Sequence, residues 1–216
     1  MTIILKIRKD NPETILIKQA ALIIKEGGLV AFPTETVYGL GADAFNAKAV
    51  EKIFIAKGRP ANKALIAHIA DIRDAYKLAA EVPKEAELLM KKFWPGPLTI
   101  VLKKSKIVPD ATSAGMDTIA IRMPANKIAL ALIKEAKTPI AAPSANLSGM
   151  PSPVNAAQVI ENLSGKIDVI IDSGKTDLGV ASTVLDMTVS PLVILRQGAL
   201  AKEDIEKALK STISSQ

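Results

Sequence analysis

"FIAKGRPANKALIAHIA", residues 54–70, joins the end of a helix to the start of a strand. Its first residues continue a helical pattern to Lys57, where Gly58 stops the helix. Pro60 blocks a return to helix, and 64–69 is an apolar run of strand length. Lys57, Arg59 and Lys63 crowd the junction, and His68, the only histidine of the chain, sits in the strand. A helix that hands over to a buried strand through a short, rigid loop is a unit of an α/β domain.

The same alternation extends in both directions. Residues 3–8 read as a strand and 12–26 as a helix ended by Gly27-Gly28. Residues 29–32 read as a short buried strand, and Asn46 caps the helix that runs to Lys57. Helices follow over 72–80 and 84–93. Trp94-Pro95-Gly96-Pro97 makes a rigid break before strands at 98–103 and 118–122. A helix over 126–137 and a strand over 140–142 end at Pro143. Ser152 is placed to cap a helix with Pro153 at its first position. Strands at 168–172, 182–186 and 192–195 precede a last helix from 202 to about 212, and residues 211–216 are expected to fray. The pattern predicts an α/β or α+β domain around a twisted sheet, with no internal repeat.

Composition bounds the rest. A chain of 216 residues that is 49% hydrophobic can bury a substantial core in one domain, and aromatics at 3% leave that core to Ile, Leu, Val and Ala. The absence of Cys excludes disulfides and thiolate metal sites, and a single His excludes a multi-histidine site. No apolar run approaches the roughly 20 residues that span a bilayer, and the N-terminus lacks a signal-peptide layout. No membrane role and a cytoplasmic location are therefore expected. The net charge of +6 fits anionic partners such as nucleotides or RNA, and equally a solvated lysine-rich surface.

Gly39-Leu-Gly41-Ala-Asp-Ala44 matches the spacing of a dinucleotide fingerprint but is read here as a decoy. Pro33-Thr-Glu-Thr-Val-Tyr38 separates it from the preceding strand, and Asp71 lies too far downstream. No P-loop and no Gly-x-Ser-x-Gly elbow is present. The cations of the opening stretch offer a better site: Arg supplies a planar fork and Lys a point charge for a polyphosphate. Solvation, or for Lys57 the helix dipole, is the plainer explanation. Thr34-Glu-Thr36 stands where a strand meets a loop, a common ligand position or an ordinary turn. His68 is a satisfied core residue or a ligand contact. Ala142-Pro-Ser144-Ala-Asn146-Leu-Ser148-Gly149 is a capped loop or a hydroxyl- and amide-rich site, with the helix expected at Ser152 adding amides for an anion. Arg122 and Arg196 each end an apolar strand, where a cation calls for a carboxylate, internal or on a ligand. The residues alone lead to a basic α/β protein that binds an anionic small molecule.

Six ordered segments carry the reading further: "FPTETVYGLGADA", "AKGRPANKALIAHI", "FWPGPLTIVL", "IAIRMP", "PIAAPSANLSG" and "STVLDM…ILRQGA". Together they resemble the YrdC-like family of threonylcarbamoyl-AMP synthases over roughly residues 10–210. The resemblance implies an open, twisted mixed sheet flanked by helices, with a large basic cavity. The implied reaction joins L-threonine, bicarbonate and ATP into threonylcarbamoyl-AMP and pyrophosphate, and a partner transferase then modifies adenosine at tRNA position 37. On that resemblance Lys57 and Arg59 are catalytic. Arg59, Lys63, Thr118, Ser144, Asn146, Ser152 and Arg196 bind ATP. Thr36, His68, Arg122, Ala142 and Ser182 cradle threonine, and Tyr38 closes the pocket. Mg²⁺ would arrive with ATP, with no metal caged by the protein itself. Residues 1–216 would form one catalytic domain, with a linker to a second domain starting after about 210 in two-domain members. Two rivals remain at this level: a related enzyme that forms a carbamoyl-adenylate, and a non-catalytic binder of nucleotides or double-stranded RNA, with weak contact to tRNA or double-stranded RNA. Scattered aromatics speak against the latter, since no stacking platform is visible.

Overall fold

The computed structural model describes residues 1–215. In chain order the elements are β1 (Ile3–Lys6), α1 (Thr14–Lys25), β2 (Val30–Phe32), β3 (Gly39–Asp43), α2 (Ala47–Lys57), β4 (Ile66–His68), α3 (Arg73–Leu78), α4 (Lys84–Phe93), β5 (Leu98–Lys103) and α5 (Asp110–Ser113). Then follow β6 (Thr118–Arg122), α6 (Lys127–Ala136), β7 (Ile140–Ala142), α7 (Ala156–Leu163), β8 (Val169–Asp172), β9 (Thr183–Asp186), β10 (Val193–Arg196), α8 (Lys202–Leu209) and β11 (Ser214–Ser215).

The strands form one open mixed sheet in the order β1-β8-β2-β3-β7-β4-β6-β5-β9-β10-β11. Parallel pairs such as β4 with β6 and β5 with β9 alternate with antiparallel pairs such as β4 with β7 and β5 with β6. Helices cover it in three apolar clusters. α2 and α7 pack Ile53, Val50 and Val159 against Leu40 and Ile170. α1 and α6 pack Ile24 and Leu132 against Phe32 and Ile140. α3, α4 and α8 pack Leu78, Leu89 and Ile205 against Ile100, Ile121 and Leu185.

The opening stretch folds as its residues dictate. Asn46 Oδ1 accepts the Ala49 amide at 3.1 Å and starts α2. Gly58, at φ 59°, takes the left-handed position that ends it, and the Arg59 amide closes back on the Phe54 carbonyl at 2.9 Å.

One strand is added to those read from the sequence, and two expectations are corrected. The decoy segment contains a strand, β3, paired antiparallel with β2 and β7. Gly41 is there because a Cβ would come within 2.5 Å of Ile140 Cγ2 and 2.8 Å of Phe32 Cε1. The helix expected at Ser152 begins at Ala156. Asn155 caps it, accepting the Gln158 amide at 3.0 Å, while Gln158 Oε1 takes the Val154 amide at 2.8 Å. The tail does not fray over residues 211–215: Ile213 is buried, and Ser214–Ser215 pair with Val193 and Ile194. Residue 216 lies outside the described residues.

Candidate active site

Period-two alternation along the central strands assigns two faces. Ala67, Ile119 and Ile121 turn to the helices, while His68, Thr118, Ala120 and Arg122 turn the other way and line a cavity of about 370 Å³. β4 and β6 run parallel with His68 opposite Arg122, so these two side chains share a row. A register shift between Ile194 and Arg196 interrupts the alternation of β10 and brings Leu195 and Arg196 together onto the lining. Arg59, Arg122 and Arg196 make the lining cationic against a single carboxylate on it, Asp186.

One wall is built by the loop after α2 and the loop after β7. Arg59 lines the cavity while its Nη2 donates to the Ala64 carbonyl at 3.2 Å, which bends the loop around its own guanidinium. Burial lowers its pKa from the ordinary arginine value. Ser144, Ser152 and Thr118 also face the cavity. Lys57, Lys63 and Asn146 do not line it. Lys57 is 3% exposed, and its Nζ donates to the Ser144 carbonyl at 2.5 Å and to the Asn146 carbonyl. The expected direct grip of Lys57 on a phosphate is thus replaced by a hold on the loop that carries Ser144, because two of its donors are spent there. Burial first, and then the charge of Arg59, bring the Lys57 pKa down to about 8. Asn146 is buried with its amide turned inward, donating to the carbonyls of Leu147 at 2.8 Å and Met150 at 2.6 Å. It staples its own loop. Lys63 is exposed on the loop surface.

The other wall gathers Thr34, His68, Arg122, Ala142 and Ser182. Thr36 lies fully buried behind Thr34, with the two hydroxyl oxygens 2.8 Å apart, so Thr34 rather than Thr36 is the threonine at the surface of the cavity. The His68 Nδ1 lies 3.1 Å from the Ile66 carbonyl. A carbonyl only accepts, so Nδ1 carries the hydrogen of the neutral ring and Nε2 keeps a lone pair. Burial, reinforced by the Arg122 charge, pushes the His68 pKa down to about 3, and Phe32 packs edge-on at 6.0 Å. Arg122 Nε donates to the Gly96 carbonyl at 3.2 Å. Gly96 fits this bend because a Cβ would meet the Phe93 carbonyl at 2.3 Å. Ser182 is a hub: its Oγ lies 2.8 Å from Thr99 Oγ1, and Arg196 Nη2 donates to its carbonyl at 2.9 Å and its Oγ at 3.1 Å. Tyr38 is a fixed wall and not a closing lid, since its buried hydroxyl donates to the Gly174 carbonyl at 2.8 Å.

Sequence reading missed Thr34 and Asp186 on the lining and Glu35 behind it. The Thr-Glu-Thr crowding held the signal for the first and third. Among the described residues no cluster of three or more His, Asp or Glu side chains is gathered for a metal ion. Three guanidinium groups around hydroxyls and a neutral imidazole can neutralise a polyphosphate and orient a carboxylate in a partly water-excluded space.

The family described as "Telomere recombination", Sua5/yciO/yrdC, matches residues 22–198. The chain belongs to this family. It is 56% identical over 209 residues to the threonylcarbamoyl-AMP synthase of Pyrococcus abyssi, covering 97% of this chain and 61% of that protein. It is 53% identical over 195 residues to the threonylcarbamoyl-AMP synthase of Bacillus subtilis, covering 89% and 56%. A crystal structure of P. abyssi Sua5 complexed with L-threonine superposes with a TM-score of 0.96 at 55% identity, covering 98% of this chain and 62% of that one. The open mixed α/β sheet is therefore a family property. The chain spans about 60% of the length of these relatives. Among the described residues no helix is long and apolar enough to cross a membrane.

Proposed function

We propose that the chain forms threonylcarbamoyl-AMP and pyrophosphate from L-threonine, bicarbonate and ATP. The observation that carries this reading is the cavity itself. Arg59 and Arg196 stand ready for phosphates, and Arg122 and neutral His68 share a row suited to an amino acid.

The amine of threonine, once its ammonium has given up a proton, attacks the carbon of bicarbonate; water leaves, and a carbamate forms. A carbamate oxygen then attacks the α-phosphorus of ATP, and pyrophosphate departs with the electrons of the broken P–O bond. A carbamate is short-lived, so proximity and water exclusion count for more than acid–base chemistry. Arg59 offsets charge on the triphosphate, with Ser144, Ser152 and Thr118 adding hydrogen bonds. Arg196, held by Ser182, completes this group. Arg122 receives the threonine carboxylate through its fork, His68 Nε2 accepts a hydrogen bond, and the Ala142 backbone and Ser182 bound the side chain. Lys63 reaches the phosphates only by swinging in from the surface. Mg²⁺ enters with ATP as part of the substrate and keeps several waters. The product is handed to a threonylcarbamoyl transferase acting on tRNA.

Mass spectrometry of a reaction containing all three substrates tests the reading. A species of the mass of threonylcarbamoyl-AMP is expected, and carbon-labelled bicarbonate must appear in it. Label found only in unreacted bicarbonate would overturn it.

A further inference from the structure

Glu35 sits in the middle of the Thr34–Thr36 turn, where its side chain is 6% exposed and that of Arg122 4%. Arg122 Nη2 and Glu35 Oε1 form an ion pair at 2.8 Å, and no other described residue donates a hydrogen bond to either Glu35 oxygen. Such a pair is a poor stabilising device. Two buried charges repay their lost hydration only when further hydrogen bonds satisfy the remaining oxygens.

The turn does not need the carboxylate. Thr34 Oγ1 accepts the amides of Thr36 and Val37, each at 3.2 Å, and the Glu35 carbonyl takes the Leu178 amide at 2.8 Å. What the carboxylate does face is the one arginine placed beside His68 on the cavity wall. The charge of Arg122 is felt across that wall, since it helps to lower the pKa values of both His68 and Arg196.

We propose that Glu35 is a specificity-determining residue that, by pairing with Arg122, makes this end of the cavity select an amino-acid zwitterion and reject simple anions. The inference rests on the function proposed above. A bare buried guanidinium would attract any anion, including inorganic phosphate or a phosphate of ATP bound the wrong way round. With Glu35 behind it, an incoming anion meets repulsion as well as attraction, in a site where water and salt screen little. A ligand that brings its own ammonium offsets that repulsion. Selection therefore comes from a repulsive element, with the attraction left to Arg122. The Glu35 oxygens are sealed from the cavity, so Glu35 acts through Arg122 and through its field, without touching the ligand.

Calorimetry on the 216-residue chain tests this with four probes: L-threonine, its α-hydroxy acid analogue in which a hydroxyl replaces the amine, inorganic phosphate, and ATP. The unaltered chain is expected to prefer L-threonine to the analogue by about tenfold or more. In Glu35→Gln that preference should fall to about onefold to threefold, with the analogue and phosphate binding more tightly and ATP held within about twofold. Glu35→Asp, which keeps the charge, should recover most of the preference. An unchanged preference in Glu35→Gln would overturn the inference alone. So would a uniform loss of threonine and ATP binding that Glu35→Asp shares, which would make Glu35 a structural residue. Failure of the unaltered chain to bind threonine at all would instead overturn the proposed function and take the inference with it.

Discussion

Lys57 joins two segments that lie far apart in the chain: its Nζ donates to the Ser144 carbonyl at 2.5 Å, and its own carbonyl takes the Ser148 amide at 2.8 Å. The end of α2 and the loop 143–149 are thus fastened at both edges of one residue. Lys57→Met keeps the stem and removes the donors. It leaves the buried carbonyl of Asn146 without this donor, at about 1–3 kcal/mol, and the part-buried carbonyl of Ser144 at less. The prediction is a loss of stability by denaturant titration and a weaker grip on ATP through misplaced Ser144.

A pH dependence accompanies this clamp. The Lys57 pKa is about 8 in the native state, down from the ordinary lysine value of 10.5. Between those values the unfolded chain binds more protons than the native one, so this residue's contribution to stability rises with pH across that window, at no more than about 1.4 kcal/mol per pH unit. Below about pH 8 the cost of burying the charge is present in full. Denaturant titrations of the native chain and Lys57→Met should diverge in slope above pH 8. Parallel curves would contradict the assignment.

His68 gives a cleaner readout because the chain has no other histidine. With its pKa near 3 instead of 6.5, the ring stays neutral through the working range. The unfolded chain binds the extra proton between those values, so stability is lost as pH falls through 6.5 and the loss is complete below about 3. The ring signals in an NMR titration should not move between about pH 8 and about pH 5, roughly 1.5 units either side of the ordinary value. A transition near pH 6.5 would show an exposed or charge-paired ring.

Arg59→Ala removes a guanidinium that faces the cavity and is partly desolvated. Loss of a charge-assisted contact to the triphosphate is expected to cost about 2–4 kcal/mol of transition-state stabilisation, read as kcat/KM for ATP, with threonine binding kept. Unchanged kinetics would take Arg59 out of the site.

Gly198 supports the hub at Ser182. A Cβ there would lie 2.3 Å from the Ala181 carbonyl oxygen and 2.3 Å from the Ser182 carbonyl carbon, both backbone atoms that cannot turn aside. Gly198→Ala is expected to destabilise by about 1–3 kcal/mol and to disturb the hold of Ser182 on Arg196. Thermal denaturation together with ATP affinity checks this. A variant equal to the parent in both would contradict the close approach.

The elements most legible in the sequence are those with hard punctuation. Helix 84–93 and strands 98–103, 118–122 and 140–142 have the bounds read from the sequence, set off by Pro83, Trp94-Pro95-Gly96-Pro97 and Pro143. β3 was hidden because its glycines mimic a phosphate loop, while their purpose is to let Phe32 and Ile140 approach. Ser152-Pro153 imitates a helix start, and only the Asn155–Gln158 pairing shows where the helix begins. Within the site, His68 and Arg122 were joined only by the resemblance, since their shared face depends on how β4 pairs with β6. The partners of Lys57, 87 and 89 residues away, and the contact of Glu35 with Arg122 depend on register between distant segments, which no local pattern encodes.

The most direct test of the central claim is pyrophosphate release from ATP, with L-threonine and bicarbonate supplied together, singly and not at all. Release that requires both, and that falls sharply in Arg59→Ala and Arg122→Ala, is the result predicted for this cavity. Release that proceeds without threonine, or that ignores both substitutions, would contradict it.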